Sequence, residues 1–163
     1  MASSRVALVL FMCVLPAMIA AIRPEKNPFS VKGRVFCDPC RATFETSATT
    51  YIAGAEVILQ CTDRATNEVV YTKKGITDST GTYIITVNED HKDQVCNAKL
   101  VNSNHPTCNE AAPGRDAARV ILTGYNGIAS NNRFANAMGY MTREVASGCA
   151  DVLKQYQEFD KED

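Results

Sequence analysis

What this chain has little of narrows its function before any motif is read. Neither sign of charge is in excess: 17 lysines and arginines stand against 18 aspartates and glutamates, a formal net charge of −1. No basic stripe breaks that balance, so phosphate-driven binding of nucleic acid is not expected. The only histidines are His91 and His105, and there is no Gly-x-Ser-x-Gly. Serine-triad chemistry therefore has no nucleophile elbow to work from, and two loop histidines do not make a triad. A glycine-rich phosphate loop is also missing; Gly124-Tyr125-Asn126-Gly127 reads as turn chemistry. Acidic residues gather at turns and in the tail, where carboxylates are ordinarily just solvated. Internal repeats and low-complexity tracts are absent. Beyond the leader no Asn-x-Ser/Thr acceptor is found, so N-glycosylation is not expected.

Long apolar sequence is confined to one place. Val6 to Ile22 is almost unbroken, preceded by Arg5 and ending among the small residues Ala17, Ala20 and Ala21 before the polar Arg23-Pro24-Glu25-Lys26. That layout predicts a secretory signal peptide over residues 1–21, cleaved near Ala20 or Ala21. The competing reading is an uncleaved anchor. The run is marginal for ~30 Å of hydrocarbon, Pro16 interrupts it, and no strongly basic flank holds it. Insertion in a membrane after cleavage is not expected. Cleavage removes Cys13 and leaves an even set of six cysteines, in about 140 residues, the size of one ordinary domain. Residues 22–30, polar and with two prolines, read as a linker; 31–157 as the domain; 158–163 as a short acidic, solvent-facing tail. A secreted monomer is expected.

Within the domain the signal is alternation. Val31, Gly33, Val35 and Cys37 oppose Lys32, Arg34 and Phe36, which predicts a first strand, half-buried or near an edge. Ala55, Val57, Leu59 and Cys61 oppose Glu56, Ile58 and Gln60 in the same way. A polar turn at residues 63–67 leads to a hairpin partner over 68–73. Asp78-Ser79-Thr80-Gly81 suits a type I turn, and residues 82–87 make a strand rich in β-branched side chains. Shorter strands are predicted at 97–101 and 119–122. Residues 102–115 read as a long loop pinned by Cys108, and 124–139 as irregular. Only Ala150 to Tyr156 looks helical. Short strands with turns at regular spacing predict an all-β sandwich or small barrel of about seven strands, not βαβ units.

The cysteines are the remaining candidates for chemistry. Cys37-Asp38-Pro39-Cys40 has the spacing of a redox dithiol, but Arg41 to Tyr51 is rich in Ser and Thr and is a poor candidate for the helix that such a thiolate needs. A zinc site could draw on Cys37 and Cys40 with Cys96 and Cys108, helped by His91 or His105. The later pair is not a knuckle, and secretion favours oxidation over metal loading. His91 and His105 default to exposed loop residues. A disulfide framework over Cys37, Cys40, Cys61, Cys96, Cys108 and Cys149 is the expected outcome, with no cofactor and no metal; spacing alone does not choose the pairing. Without a catalytic constellation a binding module is favoured, with recognition loops at Thr43–Thr50, Asn102–Arg115 and Gly124–Gly139.

Lys32-Gly33-Arg34-Val35-Phe36-Cys37-Asp38-Pro39-Cys40-Arg41 resembles the signature of the plant pollen Ole e 1-like family. Further matches are residues 52–57, Cys61, the 77–83 turn, Cys96, residues 115–120, Arg133-Phe134-Ala135-Asn136 and Cys149, covering nearly the whole domain. Lys32 departs from the usual Glu, Gln or Thr, and Phe36 from the usual Tyr. The resemblance implies pairing of Cys37 with Cys108, Cys40 with Cys149 and Cys61 with Cys96. It also implies a Greek-key β-sandwich or barrel of transthyretin-like character, no catalytic activity, and expression in pollen. Roles in pollen hydration, germination and tube growth are expected with it, as is allergenic potential. A receptor-kinase ectodomain is the partner it implies; the alternative is a structural protein binding cell-wall polysaccharide.

Overall fold

A computed structural model describes residues 28–159. The leader 1–21, most of the predicted linker and the end of the acidic tail lie outside the described residues. The elements are β1 (Phe29–Asp38), β2 (Thr50–Tyr51), β3 (Glu56–Asp63), β4 (Val69–Ile76), β5 (Thr82–Val87), β6 (Gln94–Asn102), β7 (Cys108–Ala111), β8 (Ala117–Val120), β9 (Asn132–Phe134), β10 (Met138–Thr142) and α1 (Cys149–Phe159). β1 begins at Phe29, two residues before the predicted strand.

Two sheets pack face to face as a β-sandwich and do not close into a barrel. The first is built around β1, whose two halves have different neighbours. From Phe29 to Arg34 it pairs antiparallel with β5, and over Ser30–Lys32 it pairs parallel with β9. From Val35 onward it pairs parallel with β10, and Phe36 and Cys37 pair antiparallel with β2. β7 continues the sheet beyond β10. The second sheet runs β4-β3-β6-β8, all antiparallel. Alternation explains the core between them. Val31, Val35 and Cys37 of β1 share it with Val57, Leu59 and Cys61 of β3, Tyr83, Ile85 and Val87 of β5, and Ala98 of β6, all buried. Each fully buried Val, Leu or Ile contributes roughly 1.5–3 kcal/mol.

Several sequence expectations change here. Phe36, read as outward-facing, is 1 % exposed. Gly139 of β10 makes room for it: a Cβ there would lie 2.5 Å from the Phe36 ring. The described residues hold ten strands, not about seven. The predicted loop 102–115 contains β7, and the region read as irregular, 124–139, contains β9 and the start of β10. These strands are three to five residues long and take their pairing from partners far along the chain, which a local pattern does not reveal. The turn at Asp78 is as predicted. Gly81 donates its N–H to the Asp78 carbonyl at 3.0 Å with φ of 71°, and Asp78 Oδ1 accepts from Thr80 N–H and Thr82 N–H.

His91 is not an exposed loop residue. It is 6 % exposed, its ring lies 4.6 Å from that of Tyr71, and Nδ1 is 2.8 Å from Gln94 Oε1. His105 is half-buried, and its Nδ1 accepts the Cys108 N–H at 3.1 Å, closing the turn into β7.

Candidate functional site

β1 delivers Cys37 and Cys40 to one end of the sandwich, and that end is built around their sequence. Cys37 is bonded to Cys108 on β7, Cys40 to Cys149 at the start of α1, and Cys61 to Cys96 across β3 and β6. The two sulfurs of the Cys-x-x-Cys thus go to different partners, which leaves no dithiol for redox chemistry. The buried Asp38 explains the residue between them. Its Oδ1 accepts the Cys40 N–H at 3.0 Å and its Oδ2 the Thr43 N–H at 2.7 Å, turning the chain as it leaves β1. Arg41 and Thr43 hold φ of 54° and 66°, left-handed conformations that the carboxylate and its neighbours keep in place.

Arg41 then crosses to β7 and β10. It donates to both oxygens of Glu110 at 2.9 and 3.0 Å and to the Thr142 carbonyl at 2.6 Å. The hydrogen bond from Arg41 holds the Glu110 carboxyl below its usual range, and the same bond raises Arg41. Arg115 Nε donates to the Thr43 carbonyl at 2.8 Å. Phe44 packs edge-on against Tyr156 of α1, ring centroids 5.1 Å apart. Beside these contacts a groove of about 500 Å³ runs between Pro106, Thr107, Thr142, Arg143 and Glu144.

Two of the three predicted recognition loops, Thr43–Thr50 and Asn102–Arg115, therefore meet here. Of the third, Gly124–Gly139, only the last residues, which enter β10, reach this end, where Gly139 hydrogen-bonds to Ala112 and Arg115. Residues 124–131 lie at the far end of β1, where the Ser30 N–H donates to Asn131. That loop is organised by Arg133, 4 % exposed, whose guanidinium donates to the carbonyls of Ile121, Thr123, Ser130 and Asn132 and lies over the Phe29 ring. Asp90 accepts the Gly124 N–H at 3.1 Å. This role for Arg133 is not legible in the sequence, because a cation satisfied by carbonyls leaves no charge pattern.

The chemistry open to these groups is limited. Among the described residues one cluster, Cys61, His91 and Cys96, has its donor atoms within 4.8 Å of one another. Both sulfurs there belong to one disulfide, so no thiolate is offered to a metal. Cys37, Cys40 and Cys108 of the other predicted zinc set are likewise bridged, and neither histidine joins them in a cluster of metal-binding donors. No described helix is long and apolar enough to cross a membrane.

Comparison with known proteins assigns that framework. The sequence model described as "Pollen protein Ole e 1 like" matches residues 27–157. The chain belongs to the Ole e 1 like family. It is 45% identical over 156 residues to Protein DOWNSTREAM OF FLC of Arabidopsis thaliana, covering 96% of this chain and 94% of that one. With Pollen-specific protein C13 of Zea mays the identity is 39%, covering 99% and 95%. The crystal structure of the major plantain pollen allergen Pla l 1 superposes with a TM-score of 0.66 at 31% identity, covering 75% of this chain and 99% of that one. Pollen allergen Che a 1 of Chenopodium album is 36% identical, covering 91% of this chain and 90% of that one. The protein is thus a disulfide-bonded member of a pollen allergen family.

Proposed function

We propose that the protein is a secreted, non-enzymatic ligand of the pollen surface, acting in hydration, germination or tube growth, and that it binds a receptor-kinase ectodomain through its Cys-x-x-Cys end. The supporting observation is the dense cross-linking of that end. Two bridges spanning 71 and 109 residues, the Asp38 carboxylate and the Arg41–Glu110 pair hold residues 39–49 and 103–115 in fixed relation to β1. Loops ordered in advance lose little entropy on binding, which favours recognition by a folded partner. The groove between Thr107 and Arg143 is the place for a projecting partner side chain. Three closed bridges and an apolar leader fit an oxidising, extracellular setting.

The test uses the secreted, disulfide-intact protein and a pollen-tube membrane fraction. Binding should be saturable, and Thr107→Trp together with Arg143→Glu should abolish saturation while leaving the thermal midpoint unchanged. Linear, unsaturable uptake that is also unaffected by these changes would favour a wall-associated protein instead. Intact mass before and after reduction checks the chemistry. A deficit of about six protons fits three bridges, whereas free thiols or bound zinc would reopen the enzymatic reading.

A further inference from the structure

The outer face of the first sheet carries a second surface, whose groove shares no lining residue with the one between Thr107 and Arg143. Val31 and Val35 point into the core, so Ser30, Lys32 and Arg34 point out. Strand register places Lys32 between Ile84 of β5 and Phe134 of β9, and Arg34 opposite Thr82. Ile84 in the middle of β5 is 58% exposed and Phe134 at the end of β9 is 75% exposed, large values for apolar side chains on paired strands. Beside them lies an open groove of about 280 Å³, with the Gly33 backbone, Ala135 and Ala137 in its lining and Lys32, Arg34 and Phe134 around it. The Arg34 guanidinium is held 3.4 Å above the Tyr51 ring, and the Tyr51 hydroxyl in turn donates to Glu45 at 2.8 Å.

Charge and shape narrow the occupant. Among the described residues neither Lys32 nor Arg34 is in an ion pair. Asp78 is engaged by the Thr80 and Thr82 N–H groups, and Glu45 by the Tyr51 hydroxyl. Lys32 and Arg34, two residues apart on one strand, have Cα atoms about 7 Å apart and side chains on the same side, a pairing that suits anions spaced along a linear molecule. The aromatic and apolar side chains flank a shallow row of small residues, with the hydroxyls of Ser30, Thr82 and Thr86 on the same face. That combination suits a ring with one apolar face and a hydroxylated rim. β1 itself is paired on both edges and offers no backbone for strand addition at the centre of this face.

We propose that the face formed by Lys32, Arg34, Ile84 and Phe134 binds a linear polysaccharide of uronic acid residues, a sugar ring packing on Phe134 and its carboxylates pairing with Lys32 and Arg34. This site is independent of the receptor reading and survives its failure.

The probe is polygalacturonate, presented to the disulfide-intact protein in affinity gels and by calorimetry at about 50 mM salt. Binding is expected, and Phe134→Ala should weaken it about tenfold, with Phe134→Tyr restoring it. Lys32→Gln with Arg34→Gln should weaken it by at least about tenfold and flatten its salt dependence. The groove variants Thr107→Trp and Arg143→Glu should bind as the parent does, which separates this site from the receptor surface. Both Phe134 and Lys32 are on the surface, and an unchanged thermal midpoint verifies folding of each variant. The proposal is overturned if polygalacturonate does not bind, or if Phe134→Ala has no effect, which would reduce the contact to charge alone. Equal, Phe134-dependent binding of poly-glutamate would also overturn it, in favour of an acidic peptide partner.

Discussion

The two ends of β1 fix their loops by different means. At the Asp38 end, residues 39–49 and 103–115 are tied by the Cys37–Cys108 and Cys40–Cys149 bridges, with Asp38 and Arg41 adding polar contacts. At the Phe29 end, residues 121–132 have no bridge of their own. Arg133 donates to four of their carbonyls, and Asp90 accepts the Gly124 N–H. The nearest bridge, Cys61–Cys96, joins directly opposed residues within a sheet and ties down no loop. Covalent closure acts largely by restricting the unfolded chain, whereas the Arg133 cage acts only in the folded state. The same architectural problem therefore has a redox-sensitive solution at one end and a redox-insensitive one at the other.

The largest expected effect comes from opening the covalent end. Cys37→Ala with Cys108→Ala should lower stability by about 4 kcal/mol, the magnitude for a loop of this length. Urea unfolding with amide exchange measures it. Protection should fall in 39–49 and 103–115 and persist in 121–132; uniform loss across both ends would erase the distinction between them. Cys61→Ala, which leaves Cys96 unpaired, should cost roughly 2–5 kcal/mol without loosening either set of loops first.

Arg133→Met probes the other end. It removes the donors for the Ile121, Thr123, Ser130 and Asn132 carbonyls, several of which lie near solvent and can hydrate, so a loss of about 2–3 kcal/mol is expected. Exchange should accelerate in 121–132 alone, and the Cys-x-x-Cys end should keep its protection. Equal loosening of both ends would mean that Arg133 supports the core, not the loop.

A change at Tyr83 of β5, paired with Gly33 at the middle of β1, should move both ends together. The Tyr83 hydroxyl is buried without a partner against Gly33, and burial pushes the phenol well up. A raised folded-state value stabilises the protein fully below the unfolded value near pH 10, and that stability is lost as pH rises from there toward the folded value. Tyr83→Phe should be neutral or more stable by about 1 kcal/mol at neutral pH, and should lose less stability between about pH 10 and 11. Urea midpoints across that range give the answer; an unchanged alkaline slope would assign it to other groups.

The smallest effect is expected at Arg41→Lys. Arg41 and Glu110 are partly exposed, and a lysine keeps the charge but loses the fork, so the thermal midpoint should shift by no more than about 2 °C. The depressed Glu110 carboxyl adds stability above its unfolded value, near pH 4.3, and that stability is lost as pH falls through the folded value. The difference between parent and variant should therefore vanish in acid. A larger shift at neutral pH would make the polar contacts, and not only the bridges, responsible for the rigidity of this end.

Alternation in β1, β3 and β5, the Asp78 turn, the all-β class, the C-terminal helix and the family were legible in the residues alone. Each rests on a signal carried by neighbouring residues: period-two burial, a turn tetrapeptide, a cysteine-centred signature. Only the tertiary structure decided the rest. β7, β9 and β10 are too short to announce themselves and exist because distant strands offer paired edges, as β1 does for β9 and β10. Phe36 became core because Gly139, more than a hundred residues on, leaves space for its ring. His91 is buried because Tyr71 and the 61–96 bridge meet above it, and Lys32 stands between Ile84 and Phe134 only through strand register. Packing and pairing between distant segments decide such neighbours, and no local pattern of residue types encodes them.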